Sequence, residues 1–258
     1  MSGAPVSVSV SADQTRVAFR LFHLKGNIIT AEMIHALRAG LETLPENHHL
    51  KLVTFEGEGQ DFSFGASISE HTAEEIGRVL PAMRGLIDDV LSTPAPTAAI
   101  VRGRCLGGGF ELALACDVMF ASDDAQFGLP EIGLGVFPPI AAALLPLRVG
   151  TVRATRAMLT GEAQRAATWR EAGLLELVTP RERLDREVDD WFSRHLAPKS
   201  AAALRHAAIA ARIGLVAHMR SILPELERLY LDDLMRTHDA VEGIDAFLQK
   251  RPPNWQNR

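Results

Sequence analysis

The sequence is poor in several things, and each shortage excludes a class. It has two cysteines, Cys105 and Cys116, in 258 residues, too few for the disulfide framework of a small secreted domain. No apolar run approaches the roughly 20 residues that span a bilayer, so no membrane partner is expected. Met1 to Val10 has no basic stretch leading into a long apolar core. No signal peptide is therefore expected, and the cytoplasm is the expected compartment. Positive charge is in deficit, with 27 Lys and Arg against 32 Asp and Glu and a formal net charge of −5. That balance gives no support for nucleic acid as a partner. There is no repeat of fixed period and no low-complexity tract.

What remains is an ordinary globular balance, 47% apolar and 23% charged, long enough for one sizeable domain or one domain with an appendage. The chain is organised around Gly103-Arg104-Cys105-Leu106-Gly107-Gly108-Gly109-Phe110-Glu111-Leu112-Ala113. An apolar run, Thr97 to Val101, precedes it and reads as a buried strand. Phe110 to Cys116 follows as a compact helical segment. Three glycines thus fall at a strand-to-helix junction. The first amides of a helix lack partners within it, and its dipole makes that end electropositive. Such a backbone can hold an anion or a developing oxyanion. The competing interpretation is a packing turn with an exposed Glu111. No Gly-Lys-Ser/Thr follows, so it is not a P-loop.

Along the chain, Val6–Val10 and Arg16–Phe22 read as strands with Gln14 in the turn between them. A helix is expected from an N-cap at Thr30 to about Leu44, with Met33, Ile34, Leu37 and Leu41 on its apolar face. Leu50–Glu56 reads as a buried strand. Phe62–Ser67 is too apolar for a plain loop and too rich in Gly and Ser for a core strand. Glu74–Ser92 is helical and ends before Pro94. Val118–Ala121 and Ala125–Gly128 read as extended. Leu129–Pro139 is a Gly/Pro-shaped loop carrying Glu131, and Ile140–Arg148 resumes as helix. Short helices are expected at Val152–Leu159 and Gln164–Ala172, with a last strand at Leu174–Val178. Helices then close the chain: Asp185–His195, Ser200–Ile213, Leu215–Thr237 and Asp239–Lys250. The expectation is an α/β core over residues 1–195 and a helical C-terminal region over 196–258.

Two carboxylates stand out, Glu111 past the glycines and Glu131 in the shaped loop. If they share a pocket, their environments can divide acid and base roles; otherwise each is a solvated surface glutamate. Neither Ser63 nor Ser67 lies in a Gly-x-Ser-x-Gly nucleophile elbow. His71 reads as a solvated residue at a polar helix entry.

Several segments occur together in one order: Phe64-Gly65-Ala66, Leu106-Gly107-Gly108-Gly109-x-Glu111-Leu112-Ala113, Cys116-Asp117, Ala125-Gln126-Phe127-Gly128-x-Pro130-Glu131-Ile132-x-Leu134-Gly135, and Leu159-Thr160-Gly161. Together they resemble the crotonase (enoyl-CoA hydratase/isomerase) superfamily, over nearly the whole chain. The resemblance implies an α/β fold, a spiral of ββα units with a C-terminal helical region used in trimerisation. It implies a coenzyme A thioester as substrate, assembly as a homotrimer or a hexamer of two trimers, and no separate cofactor or metal. By the same resemblance, the backbone amides of Ala66 and Gly108 form an oxyanion hole. Glu111 orients or deprotonates water, and Glu131 delivers a proton to carbon. Phe64, Ile68, Phe247 and Lys250 contact coenzyme A, Lys250 from a neighbouring subunit.

Departures from the family pattern narrow the expectation. Where many hydratases carry a Gly-Ala-Gly-Gly-Thr type run after the Glu131 loop, this chain has Pro138-Pro139-Ile140-Ala141-Ala142-Ala143. Pro139 has no N–H to offer a water. Ser67 stands where relatives often have Asp. With Glu70-His71, Leu134 to Pro138 and the tail Asn254-Trp255-x-Asn257-Arg258, this pattern resembles one subgroup. Its members hydrate cyclohexa-1,5-diene-1-carbonyl-CoA in anaerobic degradation of aromatic acids. The rival expectations are a hydratase of linear enoyl-CoA, an isomerase or thioester hydrolase of the same family, and an acyl-CoA-binding scaffold with a dead site.

Overall fold

A computed structural model describes residues 4–24, 26–44, 48–72 and 74–258. In chain order the elements are β1 Val6–Val10, β2 Arg16–Leu21, α1 Ala31–Glu42, β3 Leu52–Gly57, α2 Ile76–Ser92, β4 Thr97–Val101, β5 Arg104–Leu106, α3 Gly108–Ala115, β6 Val118–Ser122, β7 Gln126–Gly128, α4 Pro139–Val149, α5 Thr151–Thr160, β8 Gln164–Arg165, α6 Ala166–Glu171, β9 Leu177–Thr179, α7 Leu184–His195, α8 Ala201–Arg228 and α9 His238–Leu248.

Six strands form one sheet in the order β1-β2-β3-β4-β6-β9. Only the β1–β2 pairing is antiparallel; the other neighbours run parallel. A second, smaller sheet has the order β5-β7-β8. The chain alternates between these layers. After β2 it passes Ile29, which bridges Ala66, and enters α1. After β3 it passes Ser63, which bridges Cys105, and reaches α2. After β4 it forms β5, then α3; after β6 it forms β7, then α4. Each turn is therefore strand, extended piece, helix, and successive turns stack in parallel. This is the expected spiral of ββα units, a mixed α/β fold ending in helices.

The local chemistry agrees with this layering. Central β4 is buried at every residue, as a parallel strand covered on both faces should be. Helix α1 starts where Thr30 accepts a hydrogen bond from the Met33 N–H, and it buries Met33, Ile34, Leu37 and Leu41. The main core gathers Phe19, Phe55, Ile87, Phe110, Leu114 and Leu144 on one side of the large sheet. A second cluster packs Leu52, Ile100 and Phe120 against Val188 and Phe192 of α7. Cys105 and Cys116 are free and buried.

Four expectations are corrected. The two helices expected on either side of Gly214 are one continuous α8. Gly214 lies on an open face, and glycine inside a helix costs only about 1 kcal/mol relative to alanine. Arg104–Leu106, read as part of the glycine turn, is a strand paired with β7. The helix expected from Gln164 starts at Ala166, because Gln164 and Arg165 pair with β7 first. The last strand starts at Leu177. Beyond α8 the chain forms a π-helical turn, Leu229–Asp233, before α9.

Candidate active site

The glycine stretch lies where the small sheet meets α3. Gly107 adopts φ +48° and ψ −125°, a conformation that only glycine takes readily. Space imposes the same choice, since a Cβ at Gly107 would fall 2.6 Å from Glu131 Oε1. The next residue, Gly108, starts α3, so its N–H has no partner within the helix. A Cβ on Gly108 would lie 3.3 Å from both the nitrogen and the Cβ of Ala66. The two backbones therefore face each other across a narrow gap.

The Ala66 amide is aimed by pairing. The Ile29 N–H donates to Gly65 O at 2.9 Å and the Ser67 N–H donates to Ile29 O at 3.0 Å. In such a ladder the residue between turns its own N–H to the opposite side. Ser63 fixes the approach to this segment. Its hydroxyl is fully buried, donates to Asn27 O at 2.7 Å and accepts from the Gly65 N–H at 3.1 Å. That role accounts for a serine that is no nucleophile.

These groups line a pocket of about 780 Å³, open mouth included, whose walls also carry Phe64, Ile68, His71, Glu111, Glu131, Phe137, Pro138, Pro139 and Tyr230. Glu111 is only 6% exposed, not a solvated surface glutamate. Its Oε1 accepts from the Ala141 N–H at 2.9 Å, at the start of α4. Burial nevertheless dominates and pushes its carboxyl up to about 7, with the Ala141 and Ile140 amides pulling the other way. Burial pushes Glu131 further, to about 8, and the neighbouring Glu111 adds to the rise. Glu131 Oε2 is buried and has no hydrogen-bond partner. The pair therefore holds a proton near neutral pH.

Two helices close the pocket. Ile244 of α9 and Tyr230 of the π turn share an apolar cluster with Ile76, Leu80 and Val136. Helix α9 presses on the segment carrying Glu131: a Cβ at Gly243 would lie 2.2 Å from Leu134 O. The tail straps α9 in turn. Asp239 accepts from the Gln256 and Asn257 N–H groups, and Glu242 from the Asn254 N–H, each at 2.7 Å. The Trp255 ring lies against Gly135 and Gly243.

Of the residues expected from sequence, Phe64, Ala66, Ile68, Gly108, Glu111 and Glu131 meet in this pocket. Phe247 and Lys250 do not line it; Phe247 is 55% exposed, and Lys250 follows α9 at φ +55°. His71 is corrected from a solvated residue to a largely buried one on the pocket wall. Its Nδ1 lies 2.8 Å from Ser67 O, and burial lowers its pKa. Tyr230 was not foreseen, since nothing local in Leu229–Asp233 signals a π turn.

The class follows from this fold and site together. The enoyl-CoA hydratase/isomerase family pattern matches residues 22–258, and the chain belongs to that family. It is an enzyme of the hydro-lyase type. Among similar proteins, cyclohexa-1,5-dienecarbonyl-CoA hydratase of Thauera aromatica is 40% identical over 257 residues, covering 100% of this chain and 99% of that one. The 2,3-dehydroadipyl-CoA hydratase of Escherichia coli is 32% identical over 234 residues, covering 90% and 91%. The crystal structure of an enoyl-CoA hydratase from Mycobacterium avium subsp. paratuberculosis superposes with a TM-score of 0.86 at 29% identity, covering 98% of this chain and 99% of that one.

Proposed function

We propose that this enzyme adds water to a cyclic unsaturated acyl-CoA thioester, cyclohexa-1,5-diene-1-carbonyl-CoA. The observation that carries the reading is the meeting, in one apolar pocket, of two buried carboxyl groups and two facing backbone amides. The Ala66 and Gly108 N–H groups hold the thioester oxygen and stabilise the enolate as it forms. Glu111 takes a proton from water while the water oxygen bonds to a ring carbon. Glu131 returns a proton to carbon. This division follows the family resemblance, and burial with mutual repulsion, which raises both carboxyls, keeps a proton on the pair for the exchange. Phe64 and Ile68 border the mouth on the coenzyme A side, and no separate cofactor takes part.

The ring preference rests on the wall. Phe137, Pro138 and Pro139 make it stiff and apolar, and apolar carbons gain roughly 25 cal/mol per Å² on burial. Pro139 offers no N–H, and the next two amides, of Ile140 and Ala141, are turned on Glu111. Water therefore cannot be placed by a free amide there, as a linear-substrate hydratase with a glycine run could place it. The similarity to the Thauera aromatica enzyme supports the same choice, and with it a role in anaerobic degradation of aromatic acids. We expect kcat/KM for the cyclic dienoyl thioester to exceed that for crotonyl-CoA by about a hundredfold, roughly 2.7 kcal/mol. Both are measured by loss of the conjugated-thioester absorbance with product mass: gain of one water supports hydration. Unchanged mass means isomerisation, and free acid means thioester hydrolysis. Equal kcat/KM values overturn the ring assignment.

The same reading includes assembly as a homotrimer, with two trimers stacking as a hexamer. Ile209, Ile213 and Leu229 are 45%, 65% and 43% exposed, an apolar face suited to a second copy, and the outlying Phe247 and Lys250 would serve a neighbour's coenzyme A. Leu226 and Leu234 pack partly inward instead. A monomer in sedimentation at micromolar concentration overturns this assembly.

A further inference from the structure

Tyr230 is the sole tyrosine of the chain and is 2% exposed, yet it borders the pocket beside both glutamates. It sits in the π turn Leu229–Asp233; such turns are rare and cluster at functional sites. Its ring meets Phe137 edge-on, with centroids 5.4 Å apart and planes at 66°, and is wedged among Ile76, Leu80 and Ile244. Packing on several sides thus fixes where the hydroxyl points. That hydroxyl makes no hydrogen bond to a described residue.

A tally of donors gives it a task. A water between the two carboxyl groups gives a hydrogen to the ionised one, and the proton on the other is bound for carbon in the proposed reaction, so the water oxygen needs a further donor to orient it. Pro139 has no N–H, and the Ile140 and Ala141 amides are committed to Glu111. The Ala66 and Gly108 amides face the thioester oxygen in the proposed reaction. His71 spends its Nδ1 hydrogen on Ser67 O, so its Nε2 is an acceptor while the ring is neutral. The Tyr230 hydroxyl remains. We propose that Tyr230 is a catalytic residue whose hydroxyl donates a hydrogen bond to the oxygen of the water held between Glu111 and Glu131, leaving the second lone pair free to attack carbon. Burial and the two facing carboxylates raise its phenol well above the ordinary range, so it stays a donor at any working pH. This inference rests on the hydration reading above.

The test is Tyr230→Phe, which keeps the ring against Phe137 and removes the hydroxyl. kcat for the cyclic dienoyl thioester is expected to fall at least about tenfold with KM nearly unchanged, the pattern for an interaction made in the transition state. A kcat within twofold of the parent overturns the proposal. A second measurement is independent of turnover. With one tyrosine, ¹³Cζ-tyrosine labelling gives a single NMR signal. Among the described residues the titratable groups on the pocket wall beside it are Glu111, Glu131 and His71, and burial lowers the pKa of the histidine while it raises those of the glutamates. The signal is expected to follow the glutamates between about pH 6 and 9, to lose most of that dependence in Glu131→Gln, and to move when the unreactive cyclohexanecarbonyl-CoA binds. A signal indifferent to both pH and ligand overturns the proposal whatever the kinetics. Should the parent hydrate none of the thioesters, the proposed reaction falls, and the NMR signal alone decides whether Tyr230 faces the glutamates.

Discussion

Arg212 of α8 and the Glu111–Glu131 pair are all withdrawn from water, but their surroundings differ. Arg212 is 3% exposed. Its Nε donates to Asp117 Oδ1 at 2.8 Å, and its two terminal nitrogens reach Thr93 O at 2.6 Å, Ala95 O at 2.8 Å and Asp117 Oδ2. Asp117 accepts from the Thr97 N–H as well, at 2.8 Å. Opposite charges meet there, and the donors are matched by acceptors. In the pocket, like charges meet and Glu131 Oε2 has no partner. The first arrangement fastens α8 to the end of β4. The second stores a proton that the fold holds above its ordinary affinity. Satisfied burial serves cohesion, and unsatisfied burial keeps a group ready to react.

The comparison breaks most visibly at the anchor. Arg212→Met leaves Asp117 and the carbonyls of Leu91, Thr93 and Ala95 facing a hydrocarbon. Removing one partner of a buried pair costs about 3–5 kcal/mol, read as a lower denaturant midpoint, while turnover per folded molecule stays near that of the parent. If the midpoint is unmoved, the anchor contributes no cohesion.

Next comes the backbone hole. Gly108→Val fills the gap to Ala66, and we expect a loss of roughly 3–4 kcal/mol of transition-state stabilisation, as for one oxyanion donor. The denaturation midpoint should change far less than for Arg212→Met. An active, well-folded Gly108→Val enzyme would place the thioester oxygen elsewhere.

The smallest free-energy effect separates the two regions most sharply. Glu111→Gln and Glu131→Gln should each lower kcat by about 10² or more, yet neither should destabilise the fold at alkaline pH. Both carboxyls are raised from an ordinary 4.5, to about 7 and about 8. Between 4.5 and those values the folded chain binds more protons than the unfolded chain. Stability is therefore greatest below about pH 4.5 as far as these two groups go, and declines as pH rises through 7 and 8. Glu131→Gln should flatten that decline by at least about 1 kcal/mol between pH 6 and 9. Near-normal turnover in either variant, or an unchanged pH slope in Glu131→Gln, would remove the asymmetry drawn here.

How much of this was legible in the sequence depends on range. Gly107, Gly108 and Glu111 stand within one strand-to-helix turn, so their juxtaposition is local and could be read directly. Ala66 and Glu131 were placed by resemblance to a family, and the pairings of Ile29 with Ala66 and of β5 with β7 give the physical reason they converge. Arg212 lies in α8 and Asp117 in the turn between α3 and β6, far apart in the chain, and no local pattern joins them. His71 looked solvated because its neighbours are polar; it is covered from elsewhere in the fold. Gly214 looked like a break because glycine disfavours helix, but the packing of Met219 and Leu223 into the main core carries α8 through it.

The strap of Asn254, Gln256 and Asn257 across α9 makes a remote stretch of chain responsible for keeping the carboxyl pair dry. Asp239 and Glu242 receive its backbone N–H groups, and Trp255 lies against Gly243 and against Gly135, on the segment that follows Glu131. Loosening the strap would let α9 lift and water reach the carboxyls, and both proton affinities would then fall back towards ordinary values. The tuning of acid and base is thus set at the rim, by hydrogen bonds to residues that never meet the substrate.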